Sequence, residues 1–408
     1  MHAICTKESE ASEMRESNML EFPLEEYENR LKKLLAAIRE NEWDAVILTN
    51  KENTRYFTGY QLIVWGSGIS KPACVIITKD GDVTMITGYT NRDALRATSW
   101  VEDVVVWDKL GRNGALADLP EAIHDVLVRK GVDKGRIGME MGVGFRLHLH
   151  MSDYNKLMGR LSDATIVDAG PAIWEVRVIK SALEIERVRM ACKINIQAYE
   201  AAFQAIRSGM TELELYRVIS QTMIAYGADE VFPMGIRAGV ERYAQSNCPP
   251  GDRPIREGEI ILIDGGPGYR GYFSDIIREA VIGGPTPRQQ ELYNIALAAC
   301  EKGLEHMKPG MKCGEVCSLV DSFVDEQGYG DYYDIYRGWI GHSVGMSIHE
   351  MPAVELGSEV VLKPGMVFAI EPTIYEEGVG MFTVEENILI TETGCEVLTP
   401  ISRELRIL

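Results

Sequence analysis

The sequence predicts a two-domain α/β protein whose C-terminal domain carries a duplicated unit of helices and a hairpin. Strand-like and helix-like segments alternate over the first 170 residues, the signature of a sheet covered by helices. Beyond them, helices opened by capping boxes precede two hairpins of matching layout. One hairpin strand reads REGEIILID, from Arg256 to Asp264, and the other KPGMVFAIE, from Lys363 to Glu371.

Each element has a local reason. Leu31, Leu34, Leu35 and Ile38 recur at helical spacing, which predicts an amphipathic helix from Leu24 to Glu40. Apolar runs predict strands over residues 43–49, 73–78, 83–87 and 104–107, and the pattern over 119–130 predicts a helix. The stretch Asp168-Ala169-Gly170-Pro171 closes this domain, taken as residues 23–172 after an acidic tail over 1–22. Within the tail, residues 8–18 (ESEASEMRESN) read as mobile or loosely docked. The second domain, 173–408, opens with Ser181-Ala182-Leu183-Glu184, a capping box before a long helix. Thr211-Glu212-Leu213-Glu214 repeats the device, and Thr286-Pro287 starts a third helix with proline where its missing N–H is harmless.

Composition excludes several function classes. The 408-residue chain is 46% apolar and 25% charged, ordinary values for a globular protein. No apolar run approaches the length of a membrane span. A net charge of −19 with no basic stripe argues against nucleic-acid and anionic-membrane partners. The polar start of the chain offers no signal core, so a cytoplasmic location is expected. Eight cysteines lie without framework spacing and fit reduced thiols, with Cys313 and Cys317 read as buried residues.

The hairpins carry the chemistry. In each copy a carboxylate stands six positions after the turn glycine: Asp264 after Gly258, and Glu371 after Gly365. A second acid follows on each return strand, Asp275 and Glu385. Four acids brought together would repel strongly without cations. Between the hairpins lies GHSVGMSIHE, in which His342 follows a glycine that lets the backbone approach a crowded centre. Four carboxylates and an imidazole suit a pair of divalent metals, which carboxylates can bridge. The carboxylate bias favours manganese, with iron, cobalt or zinc as alternatives.

The strings LIDGGPGYRGYFSD, GHSVGMSIHE, LKPGMVFAIEP and VEENILITETG resemble the pita-bread metallopeptidases, the group of aminopeptidase P, prolidase and creatinase-like proteins. NTRYFTGY, from Asn53 to Tyr60, is similar to the creatinase-type N-terminal domain. The resemblance places the metal ligands on Asp264, Asp275, His342, Glu371 and Glu385, with Asp275 and Glu385 expected to bridge. It implies that Glu371 doubles as general base and that His349 hydrogen-bonds the scissile carbonyl. It also implies a homodimer and a hydrolase of amide C–N bonds, first of all an Xaa-Pro peptidase acting through a bridging water. The alternatives are hydrolysis of a small non-peptide metabolite and a metal-dependent lyase acting on an osmolyte such as dimethylsulfoniopropionate.

Three positions depart from the family pattern. The upstream substrate-binding histidine falls on Asn247, the histidine four residues before the metal histidine on Gly338, and an arginine two residues before the last glutamate on Thr383. Asn247, Arg337, Trp339 and Trp65 are therefore the candidate substrate contacts, for a small peptide or small molecule. Arginine suits a substrate carboxylate. Trp65 follows the NTRYFTGY stretch.

Overall fold

The computed structural model describes residues 19–63, 65, 72–232, 234–243, 245, 248–333 and 336–408. The chain divides into two compact units, with the division between Val176 and Arg177. Most of the expected tail lies outside the described residues. The part that is described is docked, because Phe22 is buried and the Arg55 Nε donates to Glu21 Oε2 at 2.8 Å.

The first unit is one six-stranded mixed sheet with helices packed on it. Its elements run α1 (Leu24–Glu40), β1 (Ala45–Leu48), α2 (Lys51–Thr58), β2 (Cys74–Thr78), β3 (Val83–Gly88), α3 (Arg92–Thr98) and β4 (Asp103–Trp107). They continue with α4 (Leu119–Arg129), β5 (Arg136–Met139), α5 (Met151–Arg160), β6 (Thr165–Asp168) and α6 (Gly170–Val178). Strand order is β4-β3-β2-β1-β5-β6, so the apolar run at β1 is central and buried throughout. The segment after β1 turns into α2 because the Asn50 side chain accepts from the Asn53 N–H at 3.1 Å. Glu140, buried past β5, accepts from the Thr49 N–H at 2.7 Å and from Asn53 Nδ2 at 2.5 Å. NTRYFTGY thus owes its first polar residue to a buried carboxylate inside its own unit.

The second unit begins with α7 (Ala182–Ala205) and α8 (Glu212–Ala225), each opened by the expected capping box. Such caps contribute roughly 0.5–2 kcal/mol each. Strands β7 (Glu230–Val231), β8 (Gly235–Ala238), β9 (Ile260–Gly265), β10 (Pro267–Tyr269), β11 (Tyr272–Phe273) and β12 (Ile276–Val281) follow. Then come α9 (Pro287–His306), capped by Thr286 with proline at its start, and α10 (Cys313–Glu326). The chain closes with β13 (Trp339–Ser343), β14 (Glu350–Glu355), β15 (Val367–Ile370), β16 (Thr373–Glu376), β17 (Gly380–Thr383), β18 (Glu386–Ile390), β19 (Cys395–Val397) and β20 (Arg406–Ile407).

Two larger sheets result, ordered β20-β12-β9-β8 and β14-β13-β15-β18-β19. Alternation along β9 explains its unbroken apolar run. Ile261 and Ile263 pack with residues of α7 and α8, whereas Ile260 and Leu262 pack with residues of α9 and α10. A strand buried on both faces can afford no polar residue until its end, where Asp264 stands. The described cysteines are free thiols, Cys313 and Cys317 among the buried ones.

Candidate metal centre

The two hairpins deliver their acids at strand ends. Asp264 lies in β9 and pairs with Ile277 on β12, and Asp275 immediately precedes β12. Glu371 follows β15 and Glu385 immediately precedes β18. The Glu385 N–H donates to the Ile277 carbonyl at 3.3 Å, which joins one hairpin to the other at the acids themselves. His342 is in β13, between β14 and β15.

Among the described residues, donor atoms converge in three overlapping groups, each with its atoms within 4.8 Å of one another. They are Asp264, Asp275 and Glu385; His342, Glu371 and Glu385; and Asp275, His342 and His349. His342 Nε2 lies 3.3 Å from Glu371 Oε1 and 3.6 Å from Asp275 Oδ2. Its Nδ1 is 3.0 Å from the Ser343 carbonyl, which leaves Nε2 free to face the acids. His349 Nε2 stands 3.8 Å from Asp275 Oδ2, and the rings of His342 and His349 meet edge to face at 4.4 Å.

The electrostatics favour a positive group among these acids. Burial, and then the Asp264 charge, push the Asp275 carboxyl well above the usual range; burial, and then Asp275, do the same to Glu385. Asp264, raised by desolvation and by Glu371, reaches about 6. Burial works against a charged His342, but the facing Glu371 outweighs it and the pKa is raised. His349 is lowered by desolvation of its inner side and by His342, although 66% of its side chain is open to solvent. Asp275 Oδ1, His342 Nε2 and both Glu385 oxygens are buried without a hydrogen-bond partner. Buried carboxylate oxygens left bare cost several kcal/mol unless a positive group meets them. Hard divalent cations fit this donor set.

Several groups that hold the site were not legible in the spacing. Asn387 Oδ1 accepts from the Asp275 N–H and from Ser274 Oγ, both at 2.9 Å, and its Nδ2 donates to the Asp275 carbonyl at 2.7 Å. Arg237 of β8 is buried, with Nη2 3.6 Å from Asp264 Oδ2. Phe232 lies edge-on to both His349 and Phe273, at 6.5 and 6.4 Å between centroids. Asn387 alone had a signal, its place two residues after Glu385 in VEENILITETG.

The candidate substrate contacts part company. Trp339 stacks beside His342, with centroids 5.9 Å apart and planes 23° from parallel. A strand's two-residue period would put positions 339 and 342 on opposite faces. The register between Trp339 and His342 shifts by one residue against β14, and this bulge returns both rings to one face. Arg337 is turned to α10, where its Nη1 donates to Asp325 Oδ2 at 2.9 Å and its Nη2 to Asp325 Oδ1 at 2.5 Å. Trp65 belongs to the first unit, where its indole N–H donates to His148 Nδ1 at 2.8 Å and its ring meets Tyr60. Asn247 lies outside the described residues. Gly338 has φ +83°, a backbone state that a histidine there would adopt only with strain, and an added Cβ would meet Leu356 at 3.0 Å. Thr383 donates its hydroxyl to the Pro372 carbonyl at 3.3 Å, and its N–H to Glu279 Oε1 at 2.9 Å.

Known proteins share this architecture. Residues 186–392 match the model of metallopeptidase family M24, and residues 30–179 match the creatinase/prolidase N-terminal domain. A Xaa-Pro dipeptidase of Pyrococcus furiosus is 32% identical over 379 residues, covering 92% of this chain and 99% of that one. An uncharacterized peptidase of Staphylococcus aureus is 28% identical over 371 residues, covering 91% and 98%. The solved prolidase of Pyrococcus horikoshii superposes with a TM-score of 0.80 at 29% identity, over 92% of this chain and 99% of that one. The Xaa-Pro dipeptidase of Bacillus anthracis superposes with a TM-score of 0.81 at 27% identity, over 94% of this chain and all (100%) of that one. Matching family models over both halves, and a relative aligned along nearly its whole length, establish that this chain belongs to metallopeptidase family M24, with a creatinase/prolidase N-terminal domain and a pita-bread second half.

Proposed function

We propose that this enzyme hydrolyses the amide bond of Xaa-Pro peptides at a centre of two divalent cations held by Asp264, Asp275, His342, Glu371 and Glu385. The observation that carries the reading is the set of bare, buried donor atoms on Asp275, His342 and Glu385. Bound there, two such cations supply Lewis-acid polarisation of the scissile carbonyl and a water that is nucleophilic at neutral pH. Manganese is the proposed metal, on the oxygen-rich donor set.

The protein's own groups divide the remaining work. Glu371 takes the proton that the attacking water gives up as its oxygen bonds to the carbonyl carbon. It then passes that proton to the departing nitrogen as the C–N bond breaks. His349 Nε2 points into the cluster beside Asp275 and supplies a hydrogen bond to the carbonyl oxygen as charge builds there. Trp339 beside His342 and Phe232 beside His349 offer apolar rings suited to a prolyl ring, with Phe273 packed behind Phe232.

A small non-peptide amide is the second reading, favoured by the lack of an ionisable side chain at Gly338 and Thr383. The experiment that separates the two is turnover of Xaa-Pro dipeptides, Xaa-Pro oligopeptides and creatine-like amides by manganese-reconstituted protein. Cleavage confined to the non-peptide amides would displace the first reading.

A homodimer in the cytoplasm completes the proposal. The dimer is carried over from the family resemblance, and the free thiols suit a reducing compartment. Light scattering that gives the mass of a single chain would contradict the dimer. Among the described residues no helix is long and apolar enough to cross a membrane.

A further inference from the structure

Next to the loop that carries His349 lies a buried three-charge cluster that the proposed chemistry does not use. Glu350 follows His349 directly and opens β14. Its side chain and that of Lys180 are 1% exposed, and that of Arg177 is 2% exposed. Glu350 Oε1 accepts the backbone N–H of Met346 at 2.9 Å and of Ser347 at 3.2 Å, and it also pairs with the Arg177 guanidinium. Oε2 pairs with Lys180 Nζ at 3.3 Å. Lys180 Nζ donates in turn to Ser343 Oγ at 3.0 Å, and Ser343 Oγ donates to the Val367 carbonyl at 3.1 Å.

One carboxylate therefore grips the loop between the two histidines at both ends. It holds the amides of Met346 and Ser347 directly, and through Lys180 it holds the residue that follows His342. The fit around it is close: a Cβ added at Gly345 would lie 2.5 Å from Glu350 Oε2 and 2.9 Å from Oε1. Burial disfavours an ionised Glu350, but Arg177 and Lys180 outweigh it and the pKa is lowered, so the group stays a pure acceptor. Stability alone does not account for such a cluster, since well-packed apolar residues in place of buried ions are often neutral or stabilising.

We propose that Arg177, Lys180 and Glu350 are positioning residues that fix the loop between His342 and His349 and so set the His349 ring for its hydrogen bond to the scissile carbonyl. This rests on the role given to His349 above. The cluster touches neither substrate nor metal and acts only through the loop.

The test is a double-mutant cycle on the manganese-loaded full chain with Ala-Pro as substrate. Glu350→Gln keeps the size of the side chain and removes its charge. Turnover is expected to fall by about 10²-fold, the cost of a reacting group displaced by about 1 Å, with KM within about twofold and metal content unchanged. In a His349→Ala background the same change should cost less than about twofold, because the group it positions is gone. An equal loss in both backgrounds overturns the proposal. Normal turnover by His349→Ala alone would remove the reading of His349 and the proposal with it, a result distinct from additivity. Gly345→Ala, which crowds the carboxylate while keeping all three charges, should reproduce both the turnover loss and its dependence on His349. Unchanged turnover in that variant also overturns the proposal.

Discussion

Asn387 clasps the peptide of Asp275 from both sides, accepting its N–H at 2.9 Å and donating to its carbonyl at 2.7 Å. Asn387 stands two residues beyond Glu385, so this clasp ties one acid-bearing hairpin to the other within the cluster. An amide side chain suits the task because it carries a donor and an acceptor side by side.

The first prediction concerns that clasp. Asn387→Ala strands buried backbone groups that cost roughly 1–3 kcal/mol each, and it frees Asp275 to move. Metal affinity should fall by about 10–100-fold, as for other groups that orient ligands. Titration calorimetry with manganese on the wild type and the variant reads this out. Equal affinities would show that Asp275 is held without Asn387.

Removing metal should destabilise the fold as well as end the activity. The acids around Asp275 and Glu385 repel one another when no cation lies between them. Because cations bind the folded state, a concentration ~100 times their dissociation constant stabilises it by about 2.7 kcal/mol. Chelated protein should melt lower, regain its melting temperature with two equivalents of manganese, and bind fewer ions after Asp264→Ala. Identical melting curves with and without chelator would contradict the two-ion centre.

His349→Ala removes the proposed hydrogen bond to the carbonyl and leaves all five proposed metal ligands in place. Turnover should fall by about 10²–10³-fold, the range for one such donor. Metal content, measured by elemental analysis, should not change. A loss of metal instead would place His349 among the ligands, which its approach to Asp275 makes the competing outcome.

Trp339 and Arg337 should differ sharply although one residue separates them. Trp339 stacks beside His342, where it is proposed to meet the prolyl ring, and losing a ring contact of that kind forfeits about 0.5–1.5 kcal/mol. Trp339→Ala should therefore raise KM by roughly 2–12-fold. Arg337 is spent on Asp325, a partly exposed pair contributing about 0–1 kcal/mol to stability. Arg337→Ala should leave KM unchanged. A large KM effect there would mean that the guanidinium leaves Asp325 for substrate.

The pH dependence of the first unit has a defined sign at Asp108. Its hydrogen bonds from Arg112 come first among the causes that lower its pKa, to about 2. A carboxylate depressed below its ordinary value of about 3.9 contributes stability above that value, and the contribution is lost as pH falls through about 2. Asp108→Asn should lower the urea midpoint equally at pH ~5 and ~7 and have progressively less effect below pH ~4. A difference that grows toward acid would reverse the assignment.

Helix starts and strand ends were legible because their causes are local. Ser181, Thr211 and Thr286 cap helices through bonds to residues three positions on, so a short string of sequence contains the whole interaction. The matched spacing of Asp264 and Glu371 after their glycines put one acid at the end of each apolar strand. The helix α2, capped by Asn50, has no long apolar period to announce it, and the buried Glu140 that accepts from Thr49 and Asn53 lies far along the chain.

By itself the sequence determined the order of elements and singled out the four acids and the histidine that the fold brings together, since these follow from periodicity, capping and charge. Tertiary structure decided which groups serve them. The Glu385 N–H reaches Ile277, Asn387 reaches Asp275, and Lys180 reaches Ser343 and Glu350 across more than a hundred residues of chain. No spacing rule encodes such meetings, because they arise only when segments distant in the chain pack together. The bulge in β13 is the same lesson in miniature. A two-residue period sets Trp339 and His342 on opposite faces, and the one-residue register shift against β14 puts both rings on one.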